Sequence, residues 1–184
     1  GTVRESESSS WKMSKGISSM NGVSLLSLQG SGLLGVVGAS MRLFATLARE
    51  NVNVILISQA SSEHSICFAV ESHFAIKAKT AIEKEFQYEI RNEEIDEVQS
   101  ENDLCIVAVV GDGMKHSPGT SGRMFSALGK NGVNVMAIAQ GSSERNISAV
   151  IPQVDAAKAL NALHEAFFLS DRRVLNVFLV GTGL

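Results

Sequence analysis

The sequence has little of what marks several protein classes. No apolar run reaches the roughly 18 residues that a membrane-spanning helix needs. The 16 basic residues are scattered and the net charge is −3, which excludes a nucleic-acid surface built from clustered Lys and Arg. The first residues, GTVRESESSSW, lack the apolar core of a signal peptide and read as a polar, flexible lead-in. Only two cysteines occur, Cys67 in ICFAV and Cys105 in LCIVAVV. They lack metal-ligand spacing, so no metal is expected. They read as reduced core residues of a cytoplasmic protein. Aromatic residues make up 5% of the chain, yet 45% is hydrophobic, so the core material is aliphatic. A length of 184 residues allows one ordinary domain or two small ones.

One stretch invites a nucleotide-binding reading. In SLLSLQGSGLLGVVG an apolar run leads into Gly30, Gly32 and Gly35, which fit GxGxxG, and Glu50 follows about twenty residues on. An internal repeat provides the control. Residues 43–70 align without a gap to residues 124–151 at an offset of 81, Gln140 against Gln59. VNV recurs at 52–54 and 133–135, and SSE at 61–63 and 142–144. The second loop reads GDGMKH, with Asp112 and His116 in place of Ser31 and Gly35. Asp112 repels a phosphate, and the third glycine is lost. The loops share only G-x-G between a strand and a helix N-terminus, whose free N–H groups suit a carboxylate as well as a phosphate.

Each copy reads βαββαβ. In the first, VSLLSLQ is a strand, and a helix runs from Ser40 to Glu50 with Met41, Phe44, Leu47 and Ala48 on one face. VNVILISQ and SICFAVE are strands joined by the turn ASSEH. A second helix spans Phe74–Phe86 with Ile76, Ala78, Ala81, Ile82 and Phe86 inward, and IDEVQS closes the unit. The second copy predicts strands LCIVAVVG, VNVMAIAQ and NISAVIP, with helices over 121–131 and 155–168. The fold class is α+β, two ferredoxin-like units with antiparallel sheets covered by helices on one face. The other face must be hidden or polar. Asn53 and Asn134 stand where the middle strand begins, and Gln59 and Gln140 at its far end. Gln offers a donor and an acceptor, as an α-amino acid ligand requires, though an Asn here also suits a turn and a strand-end Gln also suits solvent. His64, His73, His116 and His164 read as solvated surface.

The paired stretches VNVILISQASSE and VNVMAIAQGSSE resemble the tandem ACT domains of aspartate kinases. More narrowly, MSKGISSMNGVSLLSLQG, VVGDGMKHSPGTSGRMFSAL and the terminal RRVLNVFLVGTGL are similar to the regulatory region of bifunctional aspartate kinase–homoserine dehydrogenases. The resemblance implies a lead-in over 1–20, ACT units over 21–101 and 102–170, and over 171–184 a linker with the first strand of a dehydrogenase domain. It implies an allosteric region that binds L-threonine and feedback-inhibits both enzymes of aspartate-family amino-acid biosynthesis. Carried over by position, Gln59 and Gln140 match the effector glutamines. Asn53, Val54, Asn134 and Val135 match the strand start, and Gly30, Ser31, Gly32, Asp112 and Gly113 match the loops. Gly181 and Gly183 match the start of the NAD(P)-binding fingerprint, usable only in the intact parent. No catalytic residue, activity or cofactor is expected in these residues themselves. ATP and NAD(P) belong to the parent, and self-association as a homodimer is expected. Alternatives are a ligand-free dimerisation element, a lysine-sensing aspartokinase region and an NAD(P)-binding fragment.

Overall fold

The computed structural model describes residues 15–33, 38–59, 65–111, 119–140 and 146–169. The chain runs β1 (Lys15–Gln29), α1 (Ala39–Arg49), β2 (Leu56–Gln59), β3 (Ser65–Glu71), α2 (Ala75–Glu85) and the short α3 (Gln87–Arg91). It continues through β4 (Gln99–Gly111), α4 (Thr120–Lys130), β5 (Ala137–Gln140), β6 (Asn146–Pro152) and α5 (Ala156–His164), which passes into a π-helical turn at Glu165–Leu169. No helix among the described residues is long and apolar enough to cross a membrane.

The repeat holds at the level of the backbone. Gly38 and Gly119 precede α1 and α4 with φ of 99° and 88°, in the left-handed region that glycine enters at least cost. Both helices end in a Schellman motif. The Val52 N–H donates to Leu47 O (2.9 Å) around Asn51 at φ 55°, and the Val133 N–H donates to Leu128 O (3.0 Å) around Gly132 at φ 65°. Asn51, rather than Asn53, is thus the residue that tolerates the turn. The caps occupy Val52 and Val133, so the middle strands start at Leu56 and Ala137, later than VNV suggests.

The six strands among the described residues form one antiparallel sheet in the order β2-β3-β1-β4-β6-β5. Its two long central strands are each shared. The half of β1 from Val23 to Gln29 pairs with β3, whereas Lys15–Asn21 pairs with Cys105–Gly111 of β4. Conversely β4 lends Gln99–Glu101 to the first unit and Leu104–Val110 to β6. Each unit therefore receives its fourth strand from the strand that opens the other. The pairing pivots on Val23↔Leu104, which the 81-residue repeat also equates. Register shifts flank that pair, and Gly22 (φ 70°) and Asp103 (φ 55°) absorb them. β1 begins within the stretch assigned by sequence to a lead-in. The strand IDEVQS materialises only from Gln99.

Three apolar cores result. Leu26, Leu28, Phe68 and Val70 pack under Leu43 and Leu47 of α1 and Ala78 and Ile82 of α2. Val107, Val109, Ile147 and Ile151 pack under Met124 and Leu128 of α4 and Ala159 and Leu163 of α5. Helices cover one face, as the pattern requires. Leu47, Ala78, Ile82 and Phe86 face inward as expected, but one edge of each helical face differs. Met41 and Ile76 are 66% and 83% exposed, while Leu43 and Ala75 are buried in their stead. Both apolar sets fit helical spacing, and only packing selects between them. On the helix-free face Val23, Leu25, Leu56, Ala69, Leu104, Ile106 and Val150 form the third core. The sheet bends around it until β2 and β5, at opposite ends of the strand order, approach within 8 Å.

Ile17 packs against the second unit's helical core, and α5 lies close to β1. Removal of residues 1–21 is therefore expected to speed amide hydrogen exchange along Leu104–Gly111 and α5, while β3 and α2 stay protected. Equal loss in both units, measured by mass spectrometry, would contradict strand exchange.

Candidate functional site

The register fixes where the expected site residues fall. Gln29 pairs with Ser65 and Gln59 with Ile66, so the glycine loop, the end of β2 and the start of β3 share one end of the sheet. Gln140 ends β5 at the equivalent position, opposite Ile147, and is exposed. Asn53 and Val54 lie at the other end of β2, roughly 15–20 Å away at the rise of an extended chain. Asn53 is exposed and Val54 packs on the first core. Asn134 is exposed, its Nδ2 donating to Met136 Sδ (3.0 Å), and Val135 packs on the second core. Within one unit the structure does not bring the glutamine and the strand start together. Between units, β2 and β5 approach within 8 Å. Ser58, next to Gln59, lines one cavity with Met136 and Ala137, which follow Asn134 and Val135. Asp112, Gly113, Gly181 and Gly183 lie outside the described residues, as do His64 and His116.

Gly30 has a packing role. At φ 149°, a Cβ there would sit 2.3 Å from Glu94 O and 2.5 Å from Ile95 Cα. The connection from α3 to β4 crosses the loop at this point, and the Asp96 N–H donates to Gln29 O (2.8 Å). Ser31 and Gly32 follow in a single 3₁₀ turn, with Ser31 exposed.

α1 carries the strongest electrostatics. Arg42 Nε meets Glu85 Oε1 (3.1 Å), its Nη1 meets Glu89 Oε1, and its Nη2 donates to Glu85 O (2.9 Å). Arg49 Nη2 meets Glu85 Oε2 (2.8 Å), and the Arg42 guanidinium lies 4.5 Å from the Phe86 ring centroid. The hydrogen bonds from Arg42 hold both carboxyls below the usual range against the opposing effect of burial, and the bond to Glu89 raises Arg42. The second unit keeps the stacking, Arg123 over Phe167 at 5.8 Å, but places Ala166 where the first has Glu85. Sequence spacing alone did not reveal this cluster. Its one signal was the sequence of polar residues at 85 and 89 on a helical period.

The cysteines differ. Cys105 is buried in the second core, whereas Cys67 is half-buried and lines the cavity. Burial is the first cause raising both thiols, with Glu101 adding to it at Cys67. His73 sits 3.5 Å from Glu71 and is exposed, and His164 stacks on Phe168.

A carboxyl whose folded pKa is depressed stabilises the fold fully above its unfolded value, here about 4.5, and ceases to do so as pH falls through the folded value. The melting temperature should accordingly fall more steeply with acidification below about pH 4.5 in the native chain than in Arg42→Met. Parallel curves at fixed ionic strength would assign the pair no role.

Comparison with known proteins matches the geometry. The ACT domain matches residues 26–86 and 107–167, one per repeat. The chain is 43% identical over 169 residues to a bifunctional aspartokinase/homoserine dehydrogenase of Haemophilus influenzae, covering 92% of this chain and 21% of that protein. It is 42% identical to the chloroplastic bifunctional aspartokinase/homoserine dehydrogenase of Daucus carota, covering 92% and 18%. The chain thus spans about a fifth of the length of these relatives. The regulatory subunit of aspartate kinase from Thermus flavus superposes with TM-score 0.70 at 27% identity, covering 83% of this chain and 97% of that one. The ligand-free subunit from Thermus thermophilus gives 0.68 at 25%, covering 82% and 96%. With one match on each repeat and the shared fold, the chain belongs to the ACT-domain family and carries two copies of its unit.

Proposed function

We propose that the chain is the allosteric region of a bifunctional aspartate kinase–homoserine dehydrogenase and that its effector is L-threonine. The carrying observation is the repetition of one polar end. β2 and β5 each finish in Gln at matching register, opposite Ile66 and Ile147. The first lies at the sheet end where β1 gives way to the glycine loop, and each unit opens its first helix after a left-handed glycine. Such helix starts offer N–H donors to a carboxylate, and the glutamine amide supplies a donor and an acceptor for the rest of a small hydroxy amino acid. The approach of β2 to β5 supports sites that draw Gln59 from one unit and Asn134 and Val135 from the other. Threonine then binds one arrangement of the units better and shifts the attached enzymes by that difference in affinity. ATP and NAD(P) chemistry is assigned to the kinase and dehydrogenase parts, and Gly181–Gly183 to the start of the latter. β2 and β5 are edge strands with Ile57 and Ile138 half-exposed, which supports a homodimer joined edge to edge.

Isothermal titration with threonine, lysine and NADPH tests this. Heat with threonine alone, weakened roughly tenfold or more by Gln59→Ala or Gln140→Ala, is the expected result. Heat with lysine instead reassigns the effector. No heat with any amino acid, with self-association intact in sedimentation, leaves a dimerisation element.

A further inference from the structure

The helix-free face of the first unit carries a cavity of about 280 Å³. Its floor is a polar row laid across four strands. Ser58 pairs with Cys67, Cys67 with Ser27, and Ser27 with Gln99. At a strand spacing near 4.8 Å this row is about 14 Å long. Glu101, Ser65 and Gln29 flank it, Leu25 closes the side toward the third core, and Met136 and Ala137 of the second unit form a wall. Among the described residues no side-chain hydrogen bond occupies the Ser27 or Ser58 hydroxyl.

The second unit is the internal control. The same backbone there carries Ala108 for Ser27, Ala139 for Ser58 and Val110 for Gln29. Met20 stands opposite Ile106 where Glu101 stands opposite Leu25. Ser18, Ser148 and Asn146 keep polarity at the positions of Gln99, Cys67 and Ser65, so the first unit differs by the two hydroxyls at 27 and 58, the amide at 29 and the carboxylate at 101, none of which the sheet geometry requires. Ser27 and Ser58 are half-buried, and neither hydroxyl is shut off from the cavity, so both stand open to a hydrogen-bonding ligand. Among the described residues that line the cavity Glu101 is the one charged group, and its carboxylate favours a cation over an anion. Neutral donors and acceptors line the floor, and Leu25, Met136 and Ala137 the sides.

We infer that this cavity binds a small molecule with a protonated amine and neutral hydroxyl groups, the amine on Glu101 and the hydroxyls on Ser27, Ser58 and Gln99. The site is separate from the glutamine ends. Ser58 takes the helix-free face with Leu56, whereas Gln140 takes the opposite parity, that of Ile147. A ligand here also touches Met136 and Ala137, so it fastens β5 of one unit to the sheet of the other.

Amide NMR of the isotopically labelled chain tests the proposal with 2-amino-1,3-propanediol as probe, glycerol and inorganic phosphate as controls, and threonine in a separate titration. Saturable shifts at Ser27, Ser58, Gln99, Glu101 and Ala137 are expected with the amino-diol. Glycerol and phosphate should bind at least about tenfold more weakly, the loss expected when a charge-assisted hydrogen bond is removed. Glu101→Gln and the paired change Ser27→Ala with Ser58→Ala, which installs the second unit's own residues, should each weaken the probe by roughly the same factor. The probe should also slow alkylation of Cys67. Shifts that do not saturate, that centre on Gln140, or that survive both variants would overturn the assignment. Threonine shifts at the strand ends are read independently, so either site can fail alone.

Discussion

The antiparallel pairing of β1 with β4 about Val23 and Leu104 is the constraint on which the rest of the structure depends. Each long strand opens one unit and closes the other. Neither unit can complete its four strands alone, because Lys15–Asn21 and Gln99–Glu101 are exchanged across the pivot. The third core follows from this. Once the two strands cross as a continuous ladder, Leu25, Ala69, Ile106 and Val150 face one another on the helix-free side. Burying them bends the sheet until its two edges approach.

The backbone obeys the repeat more closely than the side chains do. Left-handed residues recur at 22 and 103, 38 and 119, and 51 and 132. Upon this shared frame the first unit adds Glu85 and Glu89 around its arginine and serines at 27 and 58 on its open face, where the second keeps Arg123 but carries Ala166, Ala108 and Ala139. Two units of the same shape thus present different side chains at equivalent positions. Because they share strands, an event in one changes the packing of the other through contiguous structure.

Much of this was legible in the sequence. The 81-residue repeat exposed two βαββαβ units, and β3 and β6 fall on SICFAVE and NISAVIP. Comparison of the two loops weakened the phosphate reading, and Gly30 serves the close crossing at Glu94. The first half of β1 was not legible. KGISSMN has too few apolar residues to signal a strand, and its partner stands about 90 residues away in the chain. Local pattern carries no trace of such a pairing. The choice between Met41 and Leu43 as the inward residue of α1 was likewise settled only by tertiary contact. The glutamines were visible because they repeat. The Ser58–Cys67–Ser27–Gln99 row was not, because four strands must be placed in register before it exists.

Differential scanning calorimetry of the chain tests most directly the claim that shared strands make the two units one body. The account predicts a single transition whose van't Hoff enthalpy equals the calorimetric enthalpy. Two resolved transitions, or a van't Hoff enthalpy near half the calorimetric one, would show that the units unfold separately and would contradict it.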